Sequence, residues 1–163
     1  MLFRSGLGLV TNARWSLASD RSRVRSETSG ESKDALYVRW NRALAEHVVP
    51  SAYAALFGEL KDALDADACA AVYTSWPDLA RLSAPFDVCL ATAMFRTLAQ
   101  VPSIRVRNGE AIEWLLPGEA TRAPVGWEAS LVVNVIADGL ALAAPPVPAH
   151  IIHGLGEEHA PPE

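Results

Sequence analysis

Two histidines, His150 and His153, stand three residues apart in a stretch predicted to be a helix over residues 148–155. This spacing could present two imidazoles to one metal ion, but a zinc site needs at least one more ligand. His47 and His159, the other two histidines of the chain, carry no recognisable ligand spacing. All four are interpreted more simply as solvated or capping histidines, and we predict no metal site.

Three acidic side chains, Asp62, Asp65 and Asp67, crowd one predicted helix junction. They could bind a cation, but helix capping and solvation explain them better. The segment 6–8 is a lone G-x-G that lacks the third glycine and the strand-to-helix setting of a dinucleotide site. The sequence has neither a Walker-type loop nor a serine with the flanking glycines of a nucleophile elbow. We therefore predict no catalytic residue and no cofactor.

Arginines cluster near the N-terminus, and Arg14, Arg21 and Arg23 are the candidate contact residues. Such a group could contact a neighbouring domain or an acidic partner, although it usually forms only a solvated face. The chain has 14 Lys and Arg against 19 Asp and Glu, a net charge of −5, which argues mildly against a nucleic-acid partner. It contains no apolar run long enough to span a membrane. We expect protein partners and a cytoplasmic location.

The elements that must position these residues are mostly helices. The chain has 163 residues, of which 50% are hydrophobic and 20% charged, as expected for one globular domain. Apolar periodicity and capping residues predict helices over 34–48, 50–64, 67–75, 83–98, 128–138 and 148–155, with a strand as the alternative for 128–138. We predict an α+β fold: a helix-dominated single domain with short strands near the N-terminus and a β-hairpin around 103–115.

Four segments make up this predicted organisation. Residues 1–26 form a strand pair, over 2–10 and 12–18, which we expect to continue the sheet of an upstream domain. Residues 27–33 form a flexible loop, 34–156 the helical core with its hairpin, and 157–163 a disordered tail. Asn108-Gly109 marks the hairpin turn, and a short strand is expected over 140–143. An exposed N-terminal strand edge would favour self-association.

Two helix faces are predicted to be buried, with Asp34 as the N-cap of the first helix and Pro50 at the start of the second. Trp40 and Trp76 are assigned to the core, and Cys69 and Cys89 are interpreted as small buried apolar residues. The first face contains Leu36, Trp40, Ala43, Leu44 and Val48, and the second contains Tyr53, Leu56, Phe57, Leu60 and Leu64.

Several segments, in order along the chain, resemble the sacsin-type repeat, a large chaperone-like module built around an ATPase of the ninety-kilodalton heat-shock type. The most specific is Trp40-Asn41-Arg42-Ala43-Leu44 followed by Val48, Pro50, Ala52 and Tyr53. Segment 12–21 resembles the strand and basic turn that follow the ATPase part of such repeats. Further similarity lies in Tyr73 with Trp76-Pro77, in 98–120 and in 139–155.

The resemblance implies a non-catalytic part of a chaperone repeat, acting in protein quality control through protein contacts. The ATPase part would lie before residue 1, and Arg14 or Arg21 would be candidates to contact it. Two alternatives remain open. One is a stand-alone protein-interaction domain unrelated to chaperones. The other is a small metal-dependent enzyme imported into an organelle, since the first 26 residues are rich in arginine and serine, as transit peptides are.

Overall fold

A computed structural model describes residues 2–4, 10–18, 24–26, 32–63, 72–108, 111–121, 142–143 and 147–161. Helices dominate this part of the chain, and a β-hairpin packs beside them, which confirms the predicted helix-dominated α+β fold. The predicted helix over 128–138 and most of the predicted helix over 67–75 lie outside the described residues.

The longest feature is one helical run over residues 32–63. It consists of α1 (Ser32–Ala43), a π-helical turn (Leu44–Val48) and α2 (Val49–Ala63). The helix was expected to break at Pro50, yet Ala43 and Val49 on either side of the π turn both keep helical backbone angles. Pro50 has no N–H, and its ring crowds the carbonyl four residues earlier, so the wider turn just before it lets the run continue.

Five buried positions of this run recur every four residues, namely Asn41, Ala45, Val49, Tyr53 and Phe57, and Leu44 and Pro50 beside them are also buried. In a regular α-helix with 3.6 residues per turn, such a repeat drifts steadily around the axis. A π turn holds more residues per turn and so takes up part of that drift. The extra residue therefore keeps the buried positions of α1 and α2 closer to one side of the run.

The second long helix, α3 (Pro85–Leu98), packs against the π turn and α2. Pro85 occupies the first helical turn, as predicted, although Ala84 rather than Ser83 is the N-cap residue. Between the long helices lies an aromatic cluster in which edge-on and tilted ring pairs are about 5.6–6.5 Å apart. Its members are Phe57, Tyr73, Trp76, Phe95 and Trp114. Trp76 is 3% exposed, so its assignment to the core is confirmed.

The predicted hairpin is present as β3 (Ile104–Asn108) paired antiparallel with β4 (Ala111–Leu115). Asn108 pairs with Ala111, so the two connecting residues are 109–110 rather than the expected 108–109. A short strand, β5 (Leu142–Ala143), pairs with the other edge of β3, within the segment predicted as a strand over 140–143. The last helix, α4 (Ala149–Leu155), contacts α3.

The described N-terminal strands match the predicted pair over 2–10 and 12–18 only in part. β1 (Leu2–Arg4) pairs antiparallel with β2 (Val10–Asn12), and the following extended segment is tied by a single bridge between Leu17 and Val24. α1 begins at Ser32, so Asp34 lies inside its first turn and is not the N-cap. At the other end, residues 157–160 form a turn and Pro161 is buried, which differs from the expected disordered tail.

The largest departure concerns the predicted core face of α1. Leu36 is 61% exposed, Trp40 49% and Val48 55%, so the assignment of Trp40 to the core is wrong. In the second predicted face, Leu56 is also 49% exposed, whereas Tyr53 and Phe57 are buried as expected. The periodicity correctly identified a helix, but the face that α3 and the N-terminal segment cover is adjacent to the predicted face.

Candidate functional site

An apolar groove lies between α1 and the extended segment at residues 14–16. Its volume is about 480 Å³. Three of its side chains, Leu36, Tyr37 and Trp40, are large apolar groups that are between 45% and 61% exposed to solvent. Contiguous exposed apolar surface of this kind marks interaction sites in globular proteins. The groove is lined by Arg14, Trp15, Ser16, Leu36, Tyr37 and Trp40.

A buried asparagine fixes the two walls of the groove relative to each other. Asn41 is 1% exposed, and its side-chain amide forms hydrogen bonds with backbone groups, as a peptide group of a neighbouring strand would. Its Oδ1 accepts from the backbone N–H of Ser16 at 2.8 Å, while Nδ2 donates to the carbonyls of Ser16 at 2.7 Å and Arg25 at 2.8 Å. Both amide hydrogens are thereby used. One side chain of α1 thus holds two N-terminal segments.

Two aromatic contacts complete the frame. The indole Nε1 of Trp40 donates to the carbonyl of Arg14 at 2.8 Å, which fixes the exposed ring over the edge of the groove. The Trp15 ring packs edge-on against Phe86 of α3, with ring centroids 5.4 Å apart. The groove is therefore formed before any ligand arrives, and binding would require little side-chain ordering.

The arginines give the groove a basic rim. Arg14, one of the three predicted contact residues, is exposed and lines the groove. Arg21 and Arg23, the other two, lie outside the described residues. The sequence reasoning missed Arg25, whose guanidinium carbon lies 5.6 Å from the centre of the Tyr37 ring. This cation–π contact brings a positive charge to the apolar wall. In the sequence, Arg25 is recognisable only as one more arginine of the same N-terminal basic cluster.

A smaller cleft of about 130 Å³ lies behind the groove, between α1 and α3. The free thiol of Cys89 lines it and is partly exposed, so its prediction as a buried residue is wrong; Cys69 lies outside the described residues. The Cys89 Sγ lies 3.8 Å from Oε1 of Glu46. Partial burial raises the pKa of the Cys89 thiol, and the Glu46 carboxylate raises it further, so the thiol is held protonated.

The residues first considered for metal chemistry lie apart from the groove. His150 and His153 are on α4, and within the described ranges no group of three His, Cys, Asp or Glu side chains is close enough to hold a metal ion. Asp62 lies in α2, whereas Asp65 and Asp67 are outside the described residues. The groove itself offers stacking surfaces, an aliphatic side chain and positive charge. Such groups can bind a ligand through apolar contacts, ring stacking and charge attraction.

No helix in the described part of the chain combines the length and the apolar composition that crossing a bilayer requires. In comparisons with known proteins, no protein-family model matches the chain, and no curated protein or solved structure shows significant similarity to it.

Proposed function

We propose that this chain is a non-catalytic protein-interaction domain of a sacsin-like chaperone repeat, which acts in protein folding or quality control by binding protein segments in its groove. The observation that carries the proposal is the preformed apolar groove, whose walls Asn41 holds together and whose open face presents Leu36, Tyr37 and Trp40. The resemblance of segment 40–53 to sacsin-type repeats supports the chaperone setting.

The chemistry of the groove defines the kind of segment it would take. Two open aromatic rings and a leucine favour aliphatic or aromatic side chains, which lose water when they bind. Arg14 at the rim and Arg25 over Tyr37 favour carboxylates beside them. The partner is thus an apolar protein segment flanked by acidic residues, either from an unfolded client or from the ATPase domain of the same repeat.

Suppression of aggregation tests the chaperone function. Light scattering from a heat-denatured model enzyme should rise more slowly in the presence of the chain. A Leu36→Ser variant should lose at least half of that protection, because Leu36 is the most exposed apolar side chain in the groove. Ile112→Ser is the matched control, since Ile112 is 45% exposed on β4, outside the groove. Absence of protection by the wild-type chain would refute the chaperone function.

One observation favours the alternative of a dedicated partner unrelated to chaperones. Surfaces that accept many clients are usually adaptable, whereas this groove is fixed by the amide of Asn41 and the indole of Trp40. A photo-crosslinking amino acid at position 36 would separate the two functions in cells. Many unfolded products would support the chaperone proposal, and one repeated product would support the dedicated partner.

A further inference from the structure

The helical run carries a second stripe with the same four-residue repeat as the buried one, and most of it is exposed. Leu36, Trp40, Val48 and Leu56 are each about half exposed or more, and Ala52 between the last two is also exposed, whereas Leu44 between Trp40 and Val48 is buried. The stripe extends over roughly 30 Å at the rise of a helix. Apolar faces of this length on a helix are ordinarily covered by another helix.

The spacing of the stripe is symmetric about Val48. Trp40 precedes it by eight residues and Leu56 follows it by eight, whereas Leu36 and the half-buried Leu60 lie twelve residues away on either side. If two copies of the run align antiparallel with their Val48 side chains facing each other, each Trp40 meets the Leu56 of the other copy. This is the self-complementary pattern of a two-fold interface.

The charges beside the stripe fit the same arrangement. Arg39 is exposed next to Trp40, and Glu59 is exposed one turn beyond Leu56. In an antiparallel pair, Arg39 of each copy comes within side-chain reach of Glu59 of the other. A parallel pair would instead place arginine near arginine and glutamate near glutamate, which is unfavourable.

We propose that two copies of this chain associate through this stripe as an antiparallel helix pair centred on Val48. Such a dimer covers Leu36 and Trp40, so it competes with the groove for its ligand. The proposal concerns self-association and does not depend on the nature of that ligand.

Sedimentation equilibrium over a broad concentration range tests the pairing. The wild-type chain should be in monomer–dimer equilibrium. Val48→Glu should weaken dimerisation at least about tenfold, because it places two carboxylates at the two-fold axis. Ile112→Glu, at a comparably exposed site on β4, should leave the equilibrium unchanged. A chain that is monomeric at every concentration, or equal dimerisation of Val48→Glu and the wild type, would overturn the proposal.

Two further measurements fix the orientation. Arg39→Glu and Glu59→Arg should each weaken dimerisation, and the double variant that carries both changes should restore it. If the double variant dimerises no more tightly than either single variant, the antiparallel pairing is contradicted. In a background with serine at both native cysteine positions, Val48→Cys should form a disulfide-linked dimer on mild oxidation. A Leu56→Cys chain should link to a Trp40→Cys chain, and Leu56→Cys linking to itself instead would indicate a parallel pair and refute the proposal.

Val48→Glu also separates this dimer from the groove function. Val48 does not line the groove, so the monomeric variant should protect a denatured enzyme from aggregation at least as well as the wild type. Reduced protection by a Val48→Glu chain that sedimentation shows to be monomeric would contradict the competition between dimer and ligand. Failure of the proposed chaperone function would appear as no protection by either chain, while the sedimentation result would still stand.

Discussion

Replacing Asn41 by aspartate tests whether one amide holds the groove together. The two side chains have nearly the same shape, so packing is preserved while the amide donor is lost and a buried negative charge is added. The acceptor toward the Ser16 N–H remains, but both donations, to the carbonyls of Ser16 and Arg25, are lost. In their place a carboxylate oxygen faces two carbonyl oxygens at less than 3 Å.

The size of the effect follows from those two lost bonds. Leaving a buried polar group without its partner costs about 1–3 kcal/mol. Two such losses give about 2–6 kcal/mol, and the N-terminal segment can limit the cost by detaching from α1 and regaining water. We therefore expect about 3 kcal/mol in the free energy of unfolding, and release of residues 13–18 and 24–26 from α1 under native conditions.

Hydrogen exchange followed by mass spectrometry, together with urea unfolding, provides the assay. In Asn41→Asp, peptides covering 13–18 and 24–26 should exchange much faster than in the wild type, while those of α3 stay protected. Gln100→Glu makes the same amide-to-acid change at an exposed position after α3 and should alter stability by less than about 0.5 kcal/mol. Unchanged exchange in 13–18 of Asn41→Asp would refute the role assigned to this side chain.

Three further outcomes are expected. A methyl group added at Gly154 of α4 would collide with the buried ring of Phe95, so Gly154→Ala should destabilise the fold by about 1–2 kcal/mol in thermal unfolding. In Gly58→Ala of α2 the added carbon meets no atom, so this control should stabilise the fold by about 0.5–1 kcal/mol. Stability changes of the same sign in the two variants would contradict the packing. Burial raises the pKa of Tyr53 to about 12, so the stability that the protonated hydroxyl contributes is complete below about pH 10 and is lost as the pH rises through about 12. An ultraviolet titration in which every tyrosine of the folded chain ionises near pH 10 would contradict this pKa. With the other cysteine replaced by serine, Cys89 should react with iodoacetamide at pH 8 more slowly than the thiol of an unstructured peptide, because the pKa of Cys89 is raised. A faster reaction would contradict the raised pKa.

Much of the fold follows from local patterns in the sequence. Apolar periodicity predicted the helices over 34–48, 50–64 and 83–98, and Asn108 with Gly109 predicted the hairpin, because these signals act between residues close in the chain. The π turn could not be predicted in this way. Pro50 suggested a break, and the wider turn that occurs instead packs together with α2 against α3, which is distant in the sequence.

The groove could be predicted only in part. Arg14 was named as a contact residue from charge clustering and from the resemblance of segment 12–21, and it lines the groove. Trp40 was assigned to the core, because periodicity shows which residues share a face but not whether another element covers that face. Asn41 carried no signal, since its partners are backbone atoms of Ser16 and Arg25, which lie 25 and 16 residues away in the chain.

The π turn at 44–48 also determines where this chain can tolerate a change of length. Removing one residue from an ordinary helix turns everything after it by about 100°, so that buried side chains become exposed and exposed ones buried. The π turn already holds a surplus residue, so a single deletion within 44–48, combined with Pro50→Ala, can be absorbed by reverting to regular α-helix. A deletion scan along 32–63 should therefore find one short window of tolerated deletions, and related chains that differ in length within this helix should differ there.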